Sequence, residues 1–211
     1  MAPKRDSSQK AVKKAVAKKA KPKKAPTRRS PISRVVGEQR MIDAANTLLR
    51  TRPFSSVGVR DLAGLADVNQ GFIHTWFGSQ NGLYLRVVQE LFTAMLSQIE
   101  QQPAGSIALN PFDPDVQFSI RLLFWLELEG VDIEPVKPQF EKLMNAFSHR
   151  LISQVGLTPE AAEAVTMQGS AIGIGTSAFG HMIGTDDPTK FANTLAVWRL
   201  QLELLAKYPP Q

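Results

Sequence analysis

The stretch that decides the fold is residues 54–83, FSSVGVRDLAGLADVNQGFIHTWFGSQNGL. It predicts two short helices joined by a sharp turn at Asp67, a residue type that tolerates the left-handed backbone conformation a tight corner needs. Ala63, four positions before the turn, is small enough for the two helix axes to approach closely, and Ile73, six positions after it, would close the core between them. This spacing is typical of a helix-turn-helix.

The second helix of this pair carries short polar side chains on the face that points away from Ile73. Such side chains suit hydrogen bonds to base edges in a DNA major groove, and a glycine among them would let the helix backbone lie close to the DNA. The alternative is a polar, solvated face on a small helical core. The predicted DNA-contacting residues of this helix are Asn69, Gln70, Gly71, His74 and Thr75.

Several short motifs between Val35 and Leu85 form a family pattern: IDAA at 42–45, Phe54, VRDLA at 59–63, VNQG at 68–71, WFGS at 76–79 and Leu83. Through them the sequence resembles the DNA-binding domain of the tetracycline-repressor (TetR) family of bacterial transcriptional regulators. The remaining chain resembles the family only in being helical and of suitable length. The resemblance implies a three-helix DNA-binding domain followed by a helical domain through which two chains pair.

Four positions depart from the family pattern. Gly58 stands at the N-cap of the first helix of the pair, where the family usually has Thr, and Asp67 stands at the turn in place of Gly. His74 replaces the usual Tyr, and Gln80 replaces the usual Lys at the start of the following helix. Because Gly is an acceptable N-cap, the resemblance implies an unchanged fold with fewer phosphate contacts.

Three further positions are predicted to contact DNA from outside the second helix of the pair. Arg60 lies near the expected path of a phosphate backbone, although a solvated surface arginine is the alternative. Ser79 is the predicted N-cap of a long helix that runs to about Gln102, and the amides at that helix start would offer partial positive charge to a phosphate. Gln80 opens the same helix.

The composition excludes several classes of protein. The 211 residues contain no cysteine, which excludes disulfides and thiolate metal sites and favours a reducing cytoplasm. With three scattered histidines, including the isolated His149 and His181, and no recognisable nucleophile with its base, we expect neither an enzyme nor a metal or cofactor site. No apolar run reaches the length of a membrane span and no signal peptide is visible, so we expect a cytoplasmic, nucleoid-associated bacterial protein without a membrane partner.

Charge is distributed unevenly along the chain. Residues 1–31 hold twelve of the 25 Lys and Arg but only one of the 19 Asp and Glu, a net charge of +11, so the remainder carries −5. This Lys-, Ala- and Pro-rich segment has too little apolar surface to fold, and we expect a disordered basic tail. By releasing counterions it would act as an electrostatic arm on DNA that replaces the charge missing at Gln80. The alternative is a tail that only aids solubility.

The pattern of apolar residues predicts an all-α protein in three parts. These are a disordered basic tail at 1–31, a helix-turn-helix DNA-binding domain at 32–83, and a larger helical ligand-binding and dimerisation domain at 84–211. Besides the helix-turn-helix pair, helices are predicted at 34–50, 80–102, 115–129, 134–155, 158–184 and 188–207, with a loop over 103–114. Pro159 after Thr158 is typical of a helix start.

The last two helices carry a glycine pattern and an apolar seam. Each interior glycine costs about 1 kcal/mol relative to alanine, so four on one face indicate close packing of another helix. The seam repeats every three or four residues, the period of nearly parallel helices. We predict that two chains meet here, and packing within one chain is the alternative. The predicted dimer-interface residues are Gly169, Gly173, Gly180, Gly184, Phe191, Leu195, Trp198 and Leu202.

Bulky apolar residues of the C-terminal region could line a cavity between helices, although at helical spacing such residues also make plain core. The predicted effector-pocket residues are Phe118, Leu122, Trp125, Phe140, Met144, Phe147, Met167 and Phe179. We therefore expect a homodimeric transcriptional regulator, a repressor, that binds a double-stranded DNA operator and is released by a small, mostly apolar effector. The alternative is an architectural, weakly specific chromosome-binding protein driven by the Lys-rich tail.

Overall fold

A computed structural model describes residues 32–103, 113–184 and 187–209. The predicted disordered tail at 1–31 and most of the predicted loop at 103–114 lie outside the described residues. Over the described ranges the chain forms α-helices and no β-strand, which confirms the predicted all-α class. The helices are α1 (Arg34–Thr51), α2 (Val59–Ala66), α3 (Gly71–Phe77), α4 (Gln80–Gln101), α5 (Pro114–Leu128), α6 (Lys137–Arg150), α7 (Pro159–Ile183) and α8 (Pro188–Lys207).

Local sequence signals set most of the helix starts. The Ser79 hydroxyl accepts a hydrogen bond from the Gly82 amide at 2.9 Å, and the Thr158 hydroxyl accepts one from the Ala161 amide at 3.3 Å. Both predicted starts are confirmed. Each cap satisfies an amide that has no partner within its own helix.

The turn between α2 and α3 has the predicted geometry. Asp67 adopts the left-handed conformation, with φ 54° and ψ 43°, and ends α2. Ala63 of α2 and Ile73 of α3 are both buried, so the two short helices share a core as their spacing predicted. The helix-turn-helix is confirmed.

Helix α4 runs through the hydrophobic core. Its 22 residues would span about 33 Å at the rise of an α-helix. The predicted apolar stripe is confirmed, since its members are all buried: Leu83, Val87, Leu91, Met95 and Ile99. One hydrophobic core extends from Met41 in α1 to Leu143 in α6 and includes this stripe. The core therefore passes through residue 83, and the proposed domain boundary at that position stays a prediction.

An aromatic cluster joins the helix-turn-helix to α5. The Phe54 ring lies edge-on to Phe118 and Trp125, with ring centroids 6.1 and 5.7 Å away, and Tyr84 lies 6.3 Å from Trp125. The Arg50 guanidinium lies 4.2 Å from the centroid of the Phe118 ring. We call Phe54, Tyr84, Phe118, Leu122 and Trp125 the joint.

Two predicted helices are less regular than their sequence pattern suggested. The segment predicted as one helix over 134–155 is a 3₁₀ turn at Glu134–Val136, then α6, then a π-helical turn at Leu151–Val155. In α7, Phe179 has φ −131° and interrupts the helical backbone. No helix that the structure describes is long and apolar enough to cross a membrane.

Candidate functional site

The outward face of α3 presents the residues predicted to contact DNA. Asn69, Gln70, Gly71, His74 and Thr75 are all exposed, while Ile73 on the opposite face is fully buried. Two of them also order the helix, because the Asn69 side-chain oxygen accepts from the Gly71 amide at 2.8 Å and the Thr75 hydroxyl donates to the Gly71 carbonyl at 3.2 Å. The burial of Ile73 fixes which side of α3 remains available to a partner.

A stacked aromatic pair anchors α3 against α1. The rings of Phe72 and Trp76 lie parallel, with centroids 4.3 Å apart. The Trp76 ring covers Gly37 of α1 so closely that a Cβ atom there would lie 2.4 Å from the ring. Sequence reasoning did not single out Gly37, although an interior glycine in a helical pattern is itself a signal of close packing.

Arg60 and Arg52 differ in their availability to a phosphate. Arg60 is exposed and forms no ion pair with any residue in the described ranges. Arg52 lies 3.7 Å from Asp61, whose carboxylate also accepts from the Gly58 amide at 3.2 Å. Asp61 thus satisfies the amide of the N-cap residue Gly58, which itself has no side chain to accept from the first turn of α2. Because Arg52 is close to Asp61, Arg60 is the better placed of the two arginines.

Gln80 points inward rather than toward a DNA partner. Its amide nitrogen donates to the Val57 carbonyl at 2.6 Å and to the Tyr84 hydroxyl at 2.5 Å. An amide nitrogen has two hydrogens, so neither remains for a phosphate. Burial raises the pKa of the Tyr84 phenol, an effect that the hydrogen bond from Gln80 partly offsets. The side chain of Gln80 therefore ties the start of α4 to Val57, just before α2, which does not support the predicted contact of this side chain with DNA. Ser79 beside it is exposed.

A cavity of about 250 Å³ lies in the C-terminal half, among five helices. It is bordered by α4 (Phe92 and Met95), by one face of α5, by α6, by α7 and by Trp198 of α8. Its polar lining is sparse and consists of Ser119, Glu127, Thr166 and Ser170. No lysine, arginine or histidine is among the described residues that line it.

The predicted pocket residues divide into three groups. Phe140, Met144 and Phe147 of α6 line the cavity. Phe118, Leu122 and Trp125 do not, because they lie on the opposite face of α5 and form the joint. Met167 and Phe179 are 69% and 43% exposed and do not line this cavity, although Met167 borders a second, more open pocket beside Phe140 and Met144 and stays a prediction. Helix α5 turns its other face, with Ser119, Leu123 and Phe124, toward the cavity, so its three predicted residues are not among those that line it.

The glycines of α7 have separate roles rather than one shared face. Gly169 is covered by Trp198 of the same chain, 3.5 Å from where its Cβ would lie, and Gly173 borders the cavity. Gly180 is buried, and Gly184 ends α7 with φ 73°, a conformation that favours glycine. Their predicted contact with a second chain stays a prediction.

The predicted seam of α8 faces its own chain. Phe191 and Leu202 are buried, and Leu195 and Trp198 are half-buried on the same side. The outward side of α8 carries a different apolar row: Val197, Leu200 and Leu204 are 68%, 56% and 50% exposed. We call these three residues the α8 stripe. The predicted seam thus packs within its own chain at Phe191 and Leu202, and its role in a dimer contact stays a prediction.

The described residues include no cluster of three or more His, Asp or Glu side chains that could hold a metal ion.

Comparison with known proteins gives a fold. No family model and no curated protein matches the sequence. The structure matches the TetR-family repressor AlkX from Dietzia sp. strain DQ12-45-1b, implicated in biodegradation of n-alkanes, with a TM-score of 0.51 at 20% identity over 81% of this chain and 94% of that chain. It also matches a TetR-family transcriptional regulator from Streptomyces coelicolor, with a TM-score of 0.50 at 13% identity over 83% of this chain and 89% of that chain.

The chain has the TetR fold.

Within the TetR fold, one residue that sequence reasoning missed holds the far end of α4. The Arg150 guanidinium, at the end of α6, donates to the Ile99 carbonyl at 3.0 Å and to the Pro103 carbonyl at 2.8 Å. The Ile99 carbonyl also accepts from the Gln102 amide at 3.2 Å, and Pro103 lies just beyond the end of α4, so Arg150 ties the last turn of the helix to the residues that follow it. No local pattern identifies such a contact, since the donor lies some fifty positions further along the chain.

Proposed function

We propose that this chain is a DNA-binding transcriptional regulator, a repressor that dissociates from its operator when a small effector binds. The observation that carries the proposal is the exposed surface formed by Asn69 and Gln70, just before α3, and by Gly71, His74 and Thr75 within it. The buried Ile73 fixes the orientation of this helix. Amide, hydroxyl and imidazole groups of this kind recognise base edges and phosphates. A bacterial DNA-binding protein works in the cytoplasm at the nucleoid, which is the location we propose.

Phosphate attraction would come chiefly from outside the helix-turn-helix. Residues 32–83 carry five arginines against four carboxylates, a net charge of +1. Gln80, where a lysine is usual in the resembled family, offers no donor either. We therefore propose that the +11 of residues 1–31 supplies the sequence-independent part of the affinity, and that α3 supplies the specificity.

Two helices would connect the effector cavity to the DNA-binding face. Helix α4 begins next to α3 and borders the cavity further along with Phe92 and Met95. Helix α5 borders the cavity on one face and forms the joint on the other, where Phe118 and Trp125 contact Phe54. A ligand that moves either helix changes the position of the helix-turn-helix, to an extent set by its differential affinity for the two states.

The proposed assembly is a homodimer. One seven-residue recognition helix reads too few base pairs for high specificity, whereas a two-fold pair reads two half-sites. The α8 stripe is the apolar surface that α8 leaves exposed, and Met182 and Ile183 at the end of α7 are exposed as well. We propose that these residues meet a second copy of the chain, in place of the inward-facing residues the sequence pattern suggested.

The test of DNA recognition compares binding to the DNA upstream of the protein's own gene with binding to random DNA at moderate salt. A regulator binds its operator several hundred-fold or more tightly than random duplex. Gln70→Ala should change the sequence preference and His74→Ala should weaken binding, each by about 1–3 kcal/mol. Gln98→Ala, an exposed change on α4, is the matched control. Unchanged binding of both α3 variants to all operator variants would contradict the proposal.

The second candidate function is an architectural chromosome-binding protein, which the strongly basic tail favours. In that case the ratio of upstream to random DNA affinity would be near one, and removal of residues 1–31 would abolish binding altogether. For the regulator we expect the truncated chain to bind more weakly and with a smaller dependence on salt, while it keeps its preference for the operator.

The dimer is tested separately by light scattering on the eluting protein. Leu200→Glu places a charge in the middle of the α8 stripe, and we expect a monomer that binds the operator poorly. Thr194→Glu adds the same charge at an exposed position on another side of α8 and should leave the dimer intact. A monomeric parent, or two variants that behave alike, would exclude the α8 stripe as the interface.

A further inference from the structure

We propose that the cavity selects an uncharged, mainly apolar molecule with a hydrogen-bond-accepting oxygen, which is held by the Thr166 hydroxyl and the Trp198 indole N–H. A ketone, an ester or a lactone has this chemistry. The inference rests on the proposed function in that the same molecule would be the effector.

Thr166 supplies the first polar group. The residue is only 9% exposed, it lines the cavity from α7, and its hydroxyl makes no hydrogen bond within the described ranges. Buried hydroxyls in folded proteins almost always have a partner. In the cavity wall the Thr166 oxygen is closed to water, so we infer that a ligand becomes its partner when the side chain turns toward the bound molecule.

The indole N–H of Trp198 is the second polar group. Its indole nitrogen is buried and also has no partner among the described residues. The ring edge next to this nitrogen lies over Gly169, with Cζ2 3.5 Å and Cε2 4.0 Å from the position of a Cβ there. Gly169 follows Thr166 by about one turn of α7, so both polar groups lie on the same wall of the cavity. The absence of a side chain at Gly169 leaves room for the indole to reach this wall.

The two groups together define the ligand atom. An indole N–H can only donate, and a threonine hydroxyl can donate or accept, so their common partner is an acceptor. The other hydroxyls of the lining are already engaged. Ser119 donates to the Val116 carbonyl at 2.9 Å, and Ser170 donates to the Thr166 carbonyl at 2.7 Å.

Charge then excludes the most common acceptor, a carboxylate. Among the described residues that line the cavity, no side chain is basic and Glu127 alone is charged. A carboxylate would lose its hydration without gaining a countercharge, and it would lie near a like charge. A neutral carbonyl or ester oxygen loses far less on entering an apolar cavity, which is why we infer an uncharged ligand.

The experiment uses three probes of nearly equal shape on the full chain: acetophenone, isopropylbenzene and benzoate. Titration calorimetry gives their dissociation constants for the parent, Thr166→Val and Trp198→Phe. The expected result is that each variant weakens acetophenone about three- to tenfold, the effect of one lost hydrogen bond, and leaves isopropylbenzene within about twofold of the parent. Benzoate should bind more weakly than acetophenone to all three proteins. Thr194→Val, which removes an exposed hydroxyl of α8, should change nothing.

Several outcomes would overturn the inference. These are no acetophenone binding to the parent, tighter binding of benzoate than of acetophenone, or equal losses for acetophenone and isopropylbenzene in both variants. Thermal unfolding checks that the variants fold, and Thr166→Val should melt no lower than the parent because it removes an unpaired buried hydroxyl. The two variants are independent, so either one alone can decide the result.

DNA binding is measured in parallel without any probe, so that two failures can be told apart. If the parent binds its operator but not acetophenone, this inference fails while the proposed function stands. If the probe series behaves as expected but the parent shows no operator preference, the ligand site stands while the proposed function fails.

Discussion

The two faces of α5 contain the same kinds of apolar residue, but one face is closely packed and the other borders a cavity. One face, with Phe118, Leu122 and Trp125, is filled by its neighbours and forms the joint to the helix-turn-helix. The other, with Leu123 and Phe124, borders an open cavity. The difference teaches that apolar bulk on a helix predicts burial, but it does not predict whether the surface opposite is full or empty.

The reason for the difference lies in what the facing helices offer. The joint receives the aromatic rings of Phe54 and Tyr84, which interlock with those of α5 at centroid distances of 5.7 to 6.3 Å. The cavity face meets α7, which contributes Gly169 and Gly173 there. Because glycine has no side chain, it leaves space that neither α5 nor α6 fills. Two of the four glycines in the α7 pattern thus border an internal cavity.

The largest expected effect comes from truncating one leucine on each face of α5. Leu122 is fully buried, so Leu122→Ala should cost about 3 kcal/mol of stability, which lowers Tm by roughly 6–12 °C. Leu123→Ala should cost about 1 kcal/mol, because it enlarges a space that is already open. Urea and thermal unfolding measure both. Equal losses of stability in the two variants would show that the two faces of α5 are packed alike, which would contradict the difference described above.

A second test compares a closely packed glycine, Gly37, with an unpacked one, Gly64. Gly37→Ala should destabilise the protein by about 1–3 kcal/mol, because the new Cβ would meet the Trp76 ring at 2.4 Å. Gly64→Ala in α2 has no atom within 4 Å of the new Cβ and should stabilise by about 0.5–1 kcal/mol through helix propensity. The free energies of unfolding of the two variants should therefore change in opposite directions. A gain at both positions would mean that Trp76 moves aside without cost.

The smallest effect concerns the pH dependence of the joint. Burial raises the pKa of Tyr84 above its ordinary value of 10.0, so the folded chain keeps a proton that the unfolded chain releases in alkali. The stabilisation is fully present below about pH 10 and is lost as pH rises through the raised value. Tyr84→Phe should cost about 1 kcal/mol at neutral pH, for the lost hydrogen bonds to Val57 and Gln80, and should remove this alkaline decline.

Urea unfolding of the parent and Tyr84→Phe between pH 8 and pH 11 measures that difference. Parallel pH curves for the two proteins would show that the Tyr84 phenol ionises in the folded state as easily as in the unfolded one.

The elements with local signals were predicted well. The turn at Asp67, the caps at Ser79 and Thr158, and the buried stripe of α4 each depend on residues a few positions apart. The exposed face of α3 follows from the same local spacing, because burial of Ile73 leaves only one side outward. The resemblance of residues 35–85 to a known family pattern agrees with the fold that the solved structures show.

The assignments that the packing within the chain does not support share one physical origin. The pocket assignment at Phe118, Leu122 and Trp125, the contact assignment at Phe191 and Leu202, and the DNA contact at Gln80 all required knowledge of a neighbouring helix. The period of the apolar residues identifies the apolar side of an amphipathic helix, but the local sequence does not indicate which neighbouring helix covers that side.

The sequence by itself determined where most of the described helices begin and that two of them form a helix-turn-helix, because capping, turn geometry and helical period act over a few residues. Only the tertiary structure decided which face of α5 packs against Phe54 and which borders the cavity beside Gly169. It also decided that the side chains of Trp198 and Gln80 point inward. Those choices belong to contacts between residues far apart in the chain, whose fit depends on the shapes of both surfaces at once.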